Sequence, residues 1–204
     1  MKISGYFSID VETTGLNHRI HELIQICILP LNDDFEALEV EPFYTQIKAE
    51  LPENSEKEAL EVCQLDPTVG LSRKYAKLNF VVWINMLQDK YGFEKIIPVG
   101  QNYAGFDKDF IIDWLGFDFY HKNFSRTVRD TKYNGGFFAD VMQKEFLNGL
   151  KDQAEAFGIN NVKHHDALND TLVTAQIYKK HVEALRAKLN GADLFDPEKG
   201  GILI

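Results

Sequence analysis

Asp10 and Glu12 stand two residues apart in a segment that alternates, with Phe7, Ile9 and Val11 on one side and Ser8, Asp10 and Glu12 on the other. Alternation is the period of a β-strand, so both carboxylates project from one face with Cα atoms about 7 Å apart, a spacing that suits a shared metal ion. Taken alone, such a pair also fits a polar strand face turned to water. Thr13-Thr14-Gly15-Leu16 follows directly and supplies a tight turn whose backbone donors could hold the end of a nucleotide.

Two further acidic positions lie far along the chain. Asp107 closes Gln101-Asn102-Tyr103-Ala104-Gly105-Phe106-Asp107, just after a short apolar run, and falls in the first turn of an expected helix. A carboxylate there is also favoured by the helix dipole alone. The third segment is His164-His165-Asp166-Ala167-Leu168-Asn169-Asp170, where Asp166 is placed to cap a helix. At about 100° per residue, Asp170 lies about 200° from Leu168 and one turn from Thr174, which sets it off the leucine stripe and at the helix edge.

The elements that must carry these residues follow from periodicity. Strands are expected over Tyr6 to Glu12, Leu23 to Leu29 and Val40 to Ile47, with Asn32-Asp33-Asp34 as a turn, and together they form an antiparallel meander. Helices are expected over Ser55 to Val62 and Tyr75 to Tyr91, where Leu78, Val82, Asn85 and Met86 fall near helical spacing. A short strand over Lys95 to Gly100 and a helix carrying Phe106, Phe110 and Trp114 come next. The last helix shows a stripe of Leu168, Leu172, Ala175, Val182, Leu185 and Leu189. This order implies an α/β fold with a mixed sheet. Gly191, Pro197, Gly200 and Gly201 break the end of the chain, giving one domain over residues 1–189 and a tail over 190–204.

The chain of 204 residues is 45% apolar and 26% charged, enough for one globular domain with a real core and unlike a disordered or fibrous chain. Its longest apolar run, Leu23 to Leu31, is broken by Gln25 and is too short to span a bilayer. Asp10 arrives before any long apolar stretch forms, so the start does not read as a secretory signal, and a cytoplasmic location is expected. Cys27 and Cys63 lack the spacing of a disulfide framework or a zinc site, and Cys27 reads as a small core residue.

The net charge of −9 is unfavourable for a nucleic-acid partner until its distribution is examined. Between Asn32 and Glu61, ten acidic residues against Lys48 and Lys57 give −8, leaving −1 for everything else. A basic stretch, His121 to Lys132, carries Lys122, Arg126, Arg129 and Lys132 beside Tyr120 and Phe124 and could track phosphates, with a solvated loop as the default.

The segments Asp10 to Leu16, Asn102 to Asp107, and His165 with Asp170 five residues later resemble, in order, the three exonuclease motifs of the DnaQ-like (DEDDh) family, which includes proofreading subunits of bacterial DNA polymerases. The resemblance covers about Tyr6 to Lys180, with Asp130-Thr131 similar to the family's connector after the second motif. It implies a ribonuclease H-like α/β fold and a metal-dependent 3′–5′ exonuclease. Asp10, Glu12, Asp107 and Asp170 would then hold two Mg²⁺ or Mn²⁺ ions, Asp10 bridging both, Glu12 and Asp170 completing one and Asp107 supporting the other. Four clustered carboxylates repel one another, and hard oxygen donors select hard cations, so the chemistry agrees.

By the same resemblance, His165 is the general base that takes a proton from the attacking water, a role suited to a group titrating near neutrality. Asp166 occupies the place where a related branch has Tyr, which favours His165, and His164 has the wrong spacing for a role. Thr13, Thr14 and Leu16 would hold the terminal nucleotide, with Asn102, Tyr103 and Phe106 lining the same cleft. Gln101 departs from the His common before the Asn, and Asp166 from a residue that is frequently basic, which bears on substrate grip.

The expected reaction is hydrolysis of the last phosphodiester of single-stranded DNA with release of 5′-mononucleotides, in proofreading or repair. An exoribonuclease like ribonuclease T or oligoribonuclease is the alternative, and a catalytically silent nucleic-acid-binding module a third. Expected partners are a single-stranded 3′ end, DNA before RNA, and a DNA polymerase or sliding clamp, since Gly191-Ala192-Asp193-Leu194-Phe195 resembles a clamp-docking motif without its leading Gln. No membrane partner is expected.

Overall fold

The computed structural model describes residues 2–142, 149–160, 166–191, 195–196 and 201–202. Strands β1 (Tyr6–Thr13), β2 (Leu23–Pro30) and β3 (Phe43–Gln46) form the expected antiparallel meander, while β4 (Ile97–Gly100) pairs parallel with β1 and β5 (Arg129–Asp130) parallel with β4. The five-stranded sheet has the order β3-β2-β1-β4-β5. Hence β1, which carries Asp10 and Glu12, is central, paired with β2 from Phe7 to Thr13 and with β4 over Tyr6–Ser8. Asn32 makes the β2–β3 turn, its Oδ1 accepting from the backbone N–H groups of Asp34 at 2.9 Å and Glu36 at 3.0 Å. The third strand is shorter than expected because Pro42, which has no N–H to give to a ladder, stands just before Phe43.

The helices are α1 (Lys57–Cys63), α2 (Arg73–Tyr91), α3 (Asp107–Leu115), α4 (Phe117–Asn123), α5 (Thr131–Met142), α6 (Leu150–Ala156) and α7 (Ala167–Gly191). Ser72 caps α2 by accepting from Tyr75 N–H, and Gly92 ends it at φ 65°, a left-handed residue that glycine adopts without steric cost. The face α2 buries is the opposite of the one the spacing of Leu78, Val82 and Met86 suggested. Ala76, Phe80, Ile84, Leu87 and Tyr91 face the sheet, and Leu78, Val82 and Met86 are exposed. Volume decides this: Phe80 fills the space among Phe43, Trp83, Trp114, Phe119 and Phe124, with ring centroids 5.3 to 6.3 Å apart.

A similar correction applies to α7. Leu172 and Leu185 are exposed, whereas Ala167, Thr171, Val173, Thr174, Ala175, Ile177 and Tyr178 are buried. Small residues let the helix backbone approach the sheet: Ser8 Oγ of β1 donates to the Thr171 carbonyl at 2.8 Å, and Gln25 Oε1 of β2 accepts from Ala167 N–H at 3.2 Å. The basic stretch includes a loop over residues 124–128, between the end of α4 and β5 with the start of α5, but its two neighbouring aromatics do not face solvent. Tyr120 and Phe124 are buried and stack at 4.4 Å. Beyond α7, β6 (Phe195–Asp196) and β7 (Gly201–Ile202) form a small antiparallel pair. Among the described residues, no helix is long and apolar enough to cross a membrane.

The reversed face of α2 predicts opposite outcomes for two truncations. Phe80→Ala should destabilise the fold by about 3–5 kcal/mol in urea unfolding, and Leu78→Ala by less than about 0.5 kcal/mol. Comparable losses would show that both faces of α2 are packed.

Candidate active site

The carboxylates come together because three elements end at one place. β1 presents Asp10 and Glu12 from its central position, and α7, tied to β1 through Ser8 and Thr171, brings Asp170 against them. Asp10, Glu12 and Asp170 each offer an oxygen, and these oxygens lie within 4.8 Å of one another. Asp107 opens α3 directly after the sharp turn that follows β4, and it is buried in the same cleft. Asp166 caps α7 as its position suggested, its Oδ1 accepting from Leu168 and Asn169 N–H at 3.1 Å, and Asn169 Nδ2 donates to Asp170 Oδ1 at 3.2 Å.

Bringing these groups together is electrostatically expensive. Burial above all, and then the charges of Asp107, Glu12, Asp170 and Asp166, hold the Asp10 carboxyl well above its ordinary range. Burial, followed by the charges of Asp170, Asp107 and Asp166, pushes Glu12 up to about 7. Asp107 is also pushed up to about 7 by burial, against backbone hydrogen bonds from its own N–H and that of Val11. Cys27, opposite Asp10 on β2, is pushed up to about 12 by burial and so stays a neutral thiol beside the carboxylates.

The cleft has a volume of about 410 Å³. Thr13, Leu16, Asn102 and Phe106 all line it, and Leu16 is 77% exposed at its lip. Thr14 is buried beneath the turn, where its Oγ1 accepts from Glu22 N–H at 2.8 Å while its own N–H donates to the Glu22 carbonyl. Thr13 Oγ1 donates to the Gly15 carbonyl at 2.8 Å, and His21 packs so tightly over Gly15 that a Cβ there would lie 2.4 Å from its ring. Tyr103 departs from expectation. Its ring is fully buried and its hydroxyl meets that of Tyr120 at 3.0 Å, so it supports the turn from the core and does not face the cleft.

Asn102 is held at a left-handed φ of 64°, with its N–H donating to Asp130 Oδ1 at 3.0 Å and its Oδ1 accepting from Lys132 Nζ at 3.2 Å. Asp130 thereby locks the turn that sets Asp107, which gives the Asp130-Thr131 pair a structural task. Sequence reasoning missed the opposite wall, where Glu56, Glu58, Ala59 and Val62 of α1 and its approach line the cleft. Those glutamates lie within the acidic tract, and nothing in their spacing sets them apart from solvated charge. Glu56 is tied to the turn by its N–H to the Thr14 carbonyl at 2.7 Å and by a 3.4 Å contact with His21 Nε2. His164 and His165 lie outside the described residues, as do positions 192–194 of the segment resembling a clamp-docking motif.

The donor set is all oxygen, and no lysine or arginine is among the described residues that line the cleft. Divalent cations fit that chemistry: they bring the positive charge the cluster lacks, to ligands that hard cations prefer.

A mixed sheet flanked by helices brings acidic residues from β1, α3 and α7 to one cleft, where Asp10, Glu12 and Asp170 could hold a cation. The chain belongs to the exonuclease family RNase_T, which matches residues 7–178, and so falls among the DnaQ-like 3′–5′ exonucleases. It is similar to "DNA polymerase III PolC-type" of Thermotoga petrophila, 26% identical over 193 residues covering 87% of this chain and 12% of the polymerase. The same protein of Thermotoga maritima is 26% identical over 206 residues, covering 94% of this chain and 13% of the polymerase. The chain therefore spans only a small part of the curated relatives it matches.

Among solved structures, cell-death related nuclease 4 superposes with a TM-score of 0.70 at 16% identity, covering 89% of this chain and 64% of that one. E. coli Exonuclease I, in complex with a dT13 oligonucleotide, superposes with a TM-score of 0.65 at 19% identity, covering 90% of this chain and 43% of that one. The fold is ribonuclease H-like, as the motifs implied.

The raised carboxyls fix the direction of a pH effect. Glu12 goes from an ordinary 4.5 to about 7 and Asp107 from 3.8 to about 7, so between those values the folded chain keeps protons that the unfolded chain releases. Their contribution to stability is full at acid pH and is lost as pH rises through about 7. Thermal unfolding of metal-free protein should show Tm falling across that window, Glu12→Gln should flatten the fall, and saturating Mg²⁺ should reverse it. A Tm that climbs through the window with EDTA present would contradict the electrostatics.

Proposed function

We propose that this chain shortens single-stranded DNA from its 3′ end, releasing 5′-mononucleotides with the help of two divalent cations held by Asp10, Glu12, Asp107 and Asp170. The observation that carries the proposal is the meeting of Asp10, Glu12 and Asp170 oxygens within 4.8 Å, in a cleft that Asp107 shares. DNA is favoured over RNA because the sequence relatives are DNA polymerases and a structural relative is seen with an oligodeoxynucleotide. That kinship makes proofreading or repair the setting we propose, with a polymerase as partner.

Bound cations would supply positive charge for the attacking and leaving oxygens of the displacement. The chain's own groups do the rest. Thr13 and Leu16 at the turn after β1 meet the terminal nucleotide, Leu16 packing against its base, while Thr14, expected beside them, instead braces the turn through Glu22 and Glu56; Asn102 and Phe106 complete the slot. A water oxygen bonds to the last phosphorus, and the bond from phosphorus to the O3′ of the preceding nucleotide breaks. His165 takes the water's proton, and the released O3′ becomes a new terminal hydroxyl on the shortened strand.

End-labelled DNA and RNA of identical sequence, incubated with Mg²⁺, Mn²⁺ or EDTA, test this directly. We expect stepwise loss of 3′ nucleotides, faster on DNA, abolished by EDTA and by Asp10→Ala. Faster RNA hydrolysis would make the chain an exoribonuclease, and binding without hydrolysis a silent module. His165→Ala should lower kcat by about a hundredfold or more with KM little changed, and wild-type activity should fall below about pH 6.5. An unaffected kcat would remove His165 from the base role.

A further inference from the structure

The exposed face of α5 is not used by the cleft as described. Tyr133 and Phe137 are 63% and 54% exposed, four residues apart on the side of α5 turned away from the core, while Phe138 turns inward and stacks on His181 of α7 at 4.6 Å. The helix begins at the cleft itself: Thr131 Oγ1 donates to the Gly100 carbonyl at 3.1 Å, and Lys132 Nζ reaches Asn102 Oδ1, an atom of a cleft-lining residue. Tyr133 follows Lys132 directly at this end of α5, and Phe137 lies one turn farther along the helix.

We propose that Lys132, Tyr133 and Phe137 form a two-nucleotide track for the single strand that leads to the cleft, Lys132 serving a phosphate and the two rings stacking successive bases. This rests on the exonuclease reading above and extends it from the terminal nucleotide to the strand behind it. Four helical residues separate the rings by about 6 Å along the axis, close to the step between bases in a stretched strand. Aromatic faces accept any base, as an enzyme that removes successive nucleotides requires. Lys132 matters because the described cleft lining has no lysine or arginine, so a phosphate near the cleft mouth meets its cation on α5. Asp140, exposed seven residues beyond Tyr133, puts a carboxylate where a third phosphate would run and ends the track.

The test compares a thymidylate dodecamer with a thymidine dinucleotide, which is too short to reach the track. For Tyr133→Ala/Phe137→Ala, the ratio of KM on the dodecamer to KM on the dinucleotide should rise about tenfold or more. Tyr133→Phe/Phe137→Tyr should restore it. Lys132→Gln should reduce the salt dependence of dodecamer KM by about 0.7 in log–log slope.

Fluorescence anisotropy of labelled dodecamer with EDTA present reads binding without turnover, and the alanine pair should weaken it by a similar factor. An unchanged KM ratio or unchanged anisotropy would overturn the track, even with hydrolysis intact. A parent protein that binds through these rings but hydrolyses neither substrate would sink the exonuclease reading and leave the track standing.

Discussion

The site depends on holding four carboxylates together against their mutual repulsion, and strand pairing with a few hydrogen bonds does so. β1 is anchored by β4 over Tyr6–Ser8 and laddered to β2 from Phe7 to Thr13, which fixes its backbone where Asp10 and Glu12 meet Asp170. The Ser8 to Thr171 and Gln25 to Ala167 hydrogen bonds fix α7 against two neighbouring strands, and Asp130 clamps the turn that delivers Asp107. Burial and mutual charge raise the carboxyls, and a divalent cation bound there would relieve that repulsion.

The same logic explains the turn after β1. The loop is fixed by His21 over Gly15, by Glu22 bonding to Thr14, and by Glu56 bonding to the Thr14 carbonyl. Glu22 is fixed in turn, its carboxylate accepting from Glu50 and Leu51 N–H and pairing with Arg73 at 3.4 Å. Leu16 is left exposed at the end of this braced segment.

Much of this was legible in the sequence because strand alternation and a helix start fix where a side chain points. Asp10 and Glu12 had to share a face, Asp166 had to cap, and the meander followed from three apolar runs and the Asn32 turn. What stayed hidden depends on tertiary volume. Nothing local indicates that α2 buries Phe80 and not Leu78, or that α7 approaches the sheet through Thr171 and leaves Leu172 outside, although Ala175 of the expected stripe is buried. Tyr103 looked like a cleft aromatic because it neighbours Asn102, yet its partner Tyr120 lies seventeen residues away in sequence. The α1 wall was lost within the acidic tract, and α5 and α6 gave too little periodicity to be read.

A buried carboxylate cluster whose Glu12 and Asp107 are raised to about 7 would have to give up protons to take a divalent cation. Calorimetric titration of Mn²⁺ into the metal-free protein near pH 6.5, in two buffers of different ionisation heat, measures the protons released as the ion binds. We expect proton release on binding, lost together with the binding heat in Asp10→Asn. Binding whose heat is the same in both buffers, or that survives Asp10→Asn, would contradict the account.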